Sequence, residues 1–187
     1  FAVPVGDWAA NALRDQVGYK LPALLAARAN TPPACLETCF GDDAEADAFA
    51  YSLYAELLAG SVGFATLLEV LRRAHVYPDA LAEILALATR LPRRPAVRRI
   101  FVHMERVSPA WEFEVYGPRV CPFYNYVQPA LVLLEDGALD ADAVLRVAAQ
   151  LVNEQGFHAD GLVASVLDLE KRGHFGAAGT LATRPSA

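Results

Sequence analysis

Apolar residues recur at helical spacing along most of the chain. In "PDALAEILALATRL", residues 78–91, Leu81, Ile84, Leu85, Ala88 and Leu91 fall three and four apart, the stripe of a helix packed on one side. Pro78 and Asp79 stand where a helix start tolerates a missing amide donor and favours an acceptor side chain. The prolines of "LPRRP" end that helix. "PAVRRIFVHMERV", 95–107, places Val97, Ile100, Phe101 and Met104 on one face and predicts another. Upstream, "DAFAYSLYAELLAG" (47–60) predicts a helix that stops near Gly60, and "GFATLLEVLRRAHVYPD" (63–79) its partner, with Leu67, Leu68 and Leu71 inward. Downstream, "FYNYVQPALVLLEDG" (123–137) and "DADAVLRVAAQLVNEQG" (140–156) form a second pair. After the bridge Phe157-His158-Ala159-Asp160 a further helix runs to about Arg172 and stops at Gly173, and its partner in "HFGAAGTLA" looks truncated.

The segment from Asp47 to Asp79 is 33 residues long and that from Phe123 to Asp160 is 38, both lengths of helical-hairpin repeats. One hairpin cannot bury both of its apolar faces, so a chain that repeats the stop and the Asp-closed bridge is expected to stack hairpin on hairpin. Residues 108–122, "SPAWEFEVYGPRVCP", break the pattern. There Trp111, Phe113 and Val115 alternate with Glu112 and Glu114, a strand-like period of two, and the stretch is expected as an insertion on one face. Residues 1–46 are less regular, with two or three short helices expected, broken near Gly18 and Pro22, as a cap or degenerate repeat. The array itself is expected over 47–180 and a tail over 181–187. The expected fold is therefore all-α: an α-solenoid of antiparallel helical hairpins with one irregular aromatic insertion.

The bridges "GFHAD" and "HVYPD", the turn "EKRGHFGAA" and the run "AVRRIFVHM" resemble the pentatricopeptide-repeat family, with about four degenerate units over roughly residues 47–180. The resemblance implies paired helices whose concave face, in the family, reads single-stranded RNA one base per repeat. The closing Asp of that reading device stands at Asp79 and Asp160. Approximate alignment puts Tyr51, Ala82, Gln128 or Tyr126, and Ala164 at the base-facing position, and three of four units lack a small hydrogen-bonding side chain there, so a sequence-reading code is not expected. The resemblance instead implies a non-enzymatic structural or assembly component of an organellar ribonucleoprotein, a mitochondrial ribosome being the expected setting, with protein neighbours and RNA as partners. A helical-repeat adaptor that binds only protein, mitochondrial or cytoplasmic, is the alternative.

Charge sharpens the partner question. The chain carries 22 acidic and 16 basic residues, a net charge of -6, which argues against wholesale coating of nucleic acid. Residues 72–119 reverse the balance with nine Arg and five acids. Arg90, Arg93, Arg94, Arg98 and Arg99 are the candidate RNA or partner contacts, able to grip phosphates bidentately or else to form a solvated face. Trp111, Phe113 and Tyr116 are the candidate protein interface, the other reading being that they fill a groove between units.

Other chemistry is sparse. Cys35 and Cys39 lie four apart with no further ligand nearby to complete a zinc tetrahedron, and both are expected as buried free thiols. His75, His103, His158 and His174 are scattered. The acidic "GDDAEAD" lacks the oxygen spacing of a calcium loop and is expected to favour the next helix start through its dipole. Phosphate-loop and nucleophile-elbow patterns are missing from the sequence, so no catalytic residue, cofactor, metal or small-molecule substrate is expected. No apolar run reaches the length that spans a bilayer. Because the chain opens at Phe1 without an initiator Met, a processed or partial product whose targeting segment has been removed is expected.

Overall fold

A computed structural model of the chain describes residues 7–106 and 108–176, with side-chain surroundings given from residue 13 onward. The tail expected over 181–187, and the end of the array expected to run to 180, lie outside the described residues. The elements are α1 (Asp7–Ala29), β1 (Glu37–Asp42), α2 (Asp47–Ala59), α3 (Phe64–Arg73), α4 (Pro78–Ala88), β2 (Val97–His103), a 3-10 helix (Ala110–Tyr116), β3 (Val120–Phe123), α5 (Val127–Glu135), α6 (Ala141–Gln155) and α7 (Ala159–Lys171). The three strands form one sheet in the order β1-β2-β3. This overturns the all-α solenoid: the fold is mixed α/β.

The decisive correction lies at 97–103. The helix expected there is β2, with Val97, Ile100, Phe101 and Val102 all buried. Its apolar residues are β-branched or aromatic, they follow the helix-ending Pro92 and Pro95, and burial at Arg99, Ile100, Phe101 and Val102 in succession is the pattern of a strand covered on both faces. β1 and β2 run parallel, Thr38 opposite Arg99 and Asp42 opposite His103. Parallel neighbours need a long crossover, and α2, α3 and α4 supply it.

The chain divides into two compact units, residues 1–120 and 121–187. In the first, α1 carries Leu13, Val17, Leu21 and Leu25, each at most 1% exposed, and packs against α2 and α4. Instead of two or three short helices, α1 is one helix that runs straight through Gly18 and Pro22. Burial of that four-residue stripe outweighs the lost hydrogen bond of an internal proline, a cost of about 3 kcal/mol. α2 is buried on nearly every side, because it meets α1, both parallel strands and the 3-10 helix.

The stretch read as strand-like is the 3-10 helix. Ala110, Phe113 and Tyr116 are half-buried and Trp111, Glu112, Glu114 and Val115 exposed, a period of three that matches its three residues per turn. Phe113 and Tyr116 pack on the main core.

In the second unit α5 packs against α6 and α7 around Val127, Leu151 and Leu162. Asp140 caps α6 by accepting from the Ala143 amide at 2.7 Å. Gly156 ends it at φ 73, a left-handed stop that glycine adopts without strain. Phe157 then tucks into the cluster, and α7 begins. Gln128, fully buried on α5, donates to the Ser165 carbonyl of α7 at 2.7 Å and accepts from the Tyr124 amide at 2.7 Å.

Candidate functional site

The buried stripe of α1 positions the first cluster. Arg28 continues the buried positions Leu21 and Leu25, and is itself only 4% exposed. A charge on a core stripe requires a partner. Its Nη1 donates to Glu37 Oε1 at 3.1 Å and to the Cys35 carbonyl at 3.0 Å, and its Nη2 to the Pro33 carbonyl at 3.0 Å. The other Glu37 oxygen accepts from the Tyr54 hydroxyl at 2.6 Å. Burial, and then the hydrogen bond to Glu37, push the Tyr54 phenol far up. Beside this network lies an open cavity of about 310 Å³, lined by α1 (Leu24, Ala27), Thr31, β1 (Glu37, Thr38, Cys39) and α2 (Tyr51, Tyr54). Burial raises the Cys39 thiol to about 12, so it stays protonated and unreactive at neutral pH. Cys35 is exposed, against the expectation, and Cys39 is buried.

A second cluster sits where β1 ends and α2 begins. Lys20 reaches both Glu45 and buried Asp47. Burial lowers its pKa, but the two carboxylates outweigh this and raise it. Asp47 also accepts from the Asp42 amide at 3.1 Å. The acidic run "GDDAEAD" thus ties a strand end to a helix start. Asp47 does stand in the first turn of α2, as the dipole reading expects.

Asp43 holds the turn after β2. Its carboxylate accepts from the amides of Glu105 at 2.8 Å, Arg106 at 2.9 Å and Ser108 at 3.2 Å. Burial pushes its pKa up, but the amide donors outweigh that and hold it below the ordinary carboxylate value. Such a group stabilises the fold above its unfolded pKa of about 3.9, and that contribution is lost as pH falls through the still lower folded value. Hydrogen exchange at Glu105, Arg106 and Ser108, corrected for intrinsic rates, is therefore expected to speed up as pH falls below about 4. Asp43→Ala is expected to give fast exchange at every pH; unchanged protection in that variant overturns this role.

The five arginines differ in their surroundings. Arg93 donates to the Leu57 carbonyl at 2.7 Å and to the Val62 carbonyl at 2.9 Å, and lies 4.6 Å from the Phe64 ring centre. It caps the carbonyl end of α2, where a cation is favoured. Arg99 is 7% exposed. Arg90 is exposed, and Arg94 and Arg98 are half-buried. Of the aromatic trio, Phe113 and Tyr116 face the core while Trp111 is 66% exposed. Among the described residues no group of three or more His, Cys, Asp or Glu side chains is arranged to hold a metal ion. Likewise no helix among them is long and apolar enough to cross a membrane.

Comparison with protein-family models, curated proteins and solved structures finds no match to the chain. The residues that sequence reasoning passes over are Arg28, Glu37 and Tyr54, and Tyr51 is singled out there only for a base-facing position. The signal for Arg28 is present, because it extends the apolar stripe of α1. Its partner Glu37 requires knowing that β1 exists.

Proposed function

We propose that the chain is a non-enzymatic structural or assembly component of an organellar ribonucleoprotein, with a mitochondrial ribosome as the setting that the repeat resemblance suggests. The observation that carries this reading is the outer face of the 3-10 helix. Trp111 and Val115 are 66% and 70% exposed, while Phe113 and Tyr116 of the same turns are anchored in the core. A large aromatic held out on a fixed base loses little conformational entropy when a partner covers it, which is the profile of an interface anchor. Arg90 and Arg93, both exposed, and half-buried Arg94 and Arg98 are the guanidiniums placed to meet RNA phosphates. The carbonyl partners of Arg93 and the burial of Arg99 favour a second reading, an adaptor that binds protein alone.

Sedimentation of the native protein from a gentle extract, with and without RNase, separates the two. Migration with a large particle that collapses on RNase treatment is expected; migration that resists RNase selects the protein-only adaptor, and slow migration throughout overturns both. Trp111→Ala is expected to weaken association about 30-fold, the 2 kcal/mol of a hot-spot residue, with unchanged far-UV circular dichroism. Full retention in the particle overturns the role given to Trp111.

A further inference from the structure

The edge of β1 carries more than its place in the sheet. β1 is an outer strand of the order β1-β2-β3, so one of its sides has no neighbouring strand among the described residues. Hydrogen bonds identify that side. Glu37 and Asp43 donate their amides toward β2, to Ala96 at 2.7 Å and His103 at 3.0 Å. On the opposite side, the Phe40 carbonyl accepts from the Tyr51 hydroxyl at 3.2 Å and the Asp42 amide donates to Asp47. Alternation along a strand puts the N–H and C=O of Thr38 on the side of Phe40 and Asp42, away from β2. The α2 side chains cover the edge at Phe40 and Asp42. At Thr38 the cavity of about 310 Å³ opens instead, with Thr38 in its lining.

The chemistry of that cavity selects a side chain. Leu24 and the rings of Tyr51 and Tyr54 offer apolar and aromatic wall, suited to an aliphatic stem and a cationic head. The Glu37 carboxylate has about four acceptor positions, of which Arg28 and Tyr54 take two. Glu37 is the charged residue among those that line the cavity, and Arg28, 3.1 Å from one of its oxygens, leaves its remaining acceptor positions open to a cation.

We propose that the β1 edge at Thr38 binds an extended polypeptide segment by strand addition, with a lysine or arginine side chain of that segment seated in the cavity against Glu37. Main-chain pairing at Thr38 and the seated side chain together hold the segment, and the cavity supplies the selection, as in other sites that add a strand to a sheet edge. This site is separate from the 3-10 helix and does not depend on the reading given to it.

The test uses the full chain and a fluorescent blocked pentapeptide, Thr-Val-Lys-Val-Thr-amide, read by anisotropy. Two comparison peptides carry N-methyl groups on alternate backbone amides or norleucine in place of the lysine. The parent peptide is expected to bind at or below about 1 mM. Each comparison peptide is expected to bind about tenfold more weakly, the worth of roughly 1.4 kcal/mol for a lost charge-assisted or main-chain hydrogen-bond set. Thr38→Pro removes an edge amide that makes no bond to β2, so it is expected to weaken the parent peptide similarly while β1–β2 exchange protection persists. Equal binding of all three peptides, or no binding at about 1 mM, overturns the proposal. Blocked lysine amide alone binding as tightly as the pentapeptide overturns the strand pairing. Displacement of the peptide by a short RNA at low ionic strength overturns the choice of a polypeptide partner.

Discussion

Val102→Asp is expected to destabilise the first unit by about 4 kcal/mol or more, the range reserved for a carboxylate buried without a partner. Val102 is 0% exposed in β2, with its neighbours Ile100 and Phe101 at 1% and 0%. In a strand these successive side chains point to opposite faces, and α2 packs on β2; an aspartate there meets core on whichever face it takes. The substitution also tests strand against helix. Were residues 95–107 a helix with Val97, Ile100, Phe101 and Met104 inward, Val102 would lie on the opposite, solvent side, and an aspartate there would change stability by no more than about 0.5 kcal/mol. Urea unfolding followed by far-UV circular dichroism reads the difference directly. A midpoint close to that of the native chain overturns the sheet. Against a total stability of about 5–15 kcal/mol, the expected loss leaves a substantial unfolded population without denaturant.

Helices α2, α3, α4, α6 and α7 lie within the spans that the apolar periodicity predicts; α3, α4, α6 and α7 each bury one stripe, whereas α2 is buried on nearly every side. The strands are less legible for a different reason. Val97, Ile100, Phe101 and Met104 satisfy a helical stripe and a buried strand equally well over so short a run, and only Val102 breaks the tie. β1 carries a mixed burial pattern with a single fully buried residue, Cys39, and becomes a strand through its pairing with residues about 60 positions later, a long-range contact that no local window contains. The 3-10 helix is misread because exposed Trp111 and Val115 mimic an alternating apolar face. The candidate sites divide the same way. Trp111 is visible as an aromatic in an irregular stretch, whereas the Arg28–Glu37–Tyr54 network joins three elements and is readable only once the sheet is in place. Of the five arginines grouped in sequence, Arg99 is buried, and Arg93, though exposed, spends its guanidinium on the carbonyls that end α2.

Gly41→Ala is expected to cost about 3 kcal/mol, because β1 passes Asp47 at a distance that leaves no room for a methyl group. A Cβ at position 41 would come closer than 3.0 Å to the Oδ2, Cβ and Cγ atoms of Asp47. Moving a flexible side-chain tip cannot relieve this, since the Asp47 Cβ is fixed to the first turn of α2. Asp47 is also 4% exposed and holds Lys20 and the Asp42 amide, so displacing it strands a cation and a donor together, a loss of about 3 kcal/mol for a buried pair. Asp47→Gly removes the obstruction and the ion pair at once. The two changes therefore act on one arrangement, and the double variant is expected to lose about 3–4 kcal/mol rather than the sum of roughly 6. Strict additivity overturns the claim that close approach is what demands glycine. The same turn sets where α2 starts and hence where Tyr51 and Tyr54 stand beside Thr38, so Gly41→Ala is also expected to weaken peptide binding at the β1 edge. Restoration of that binding in the double variant, at a stability still below that of the native chain, would separate the shape of the cavity from the strength of the fold.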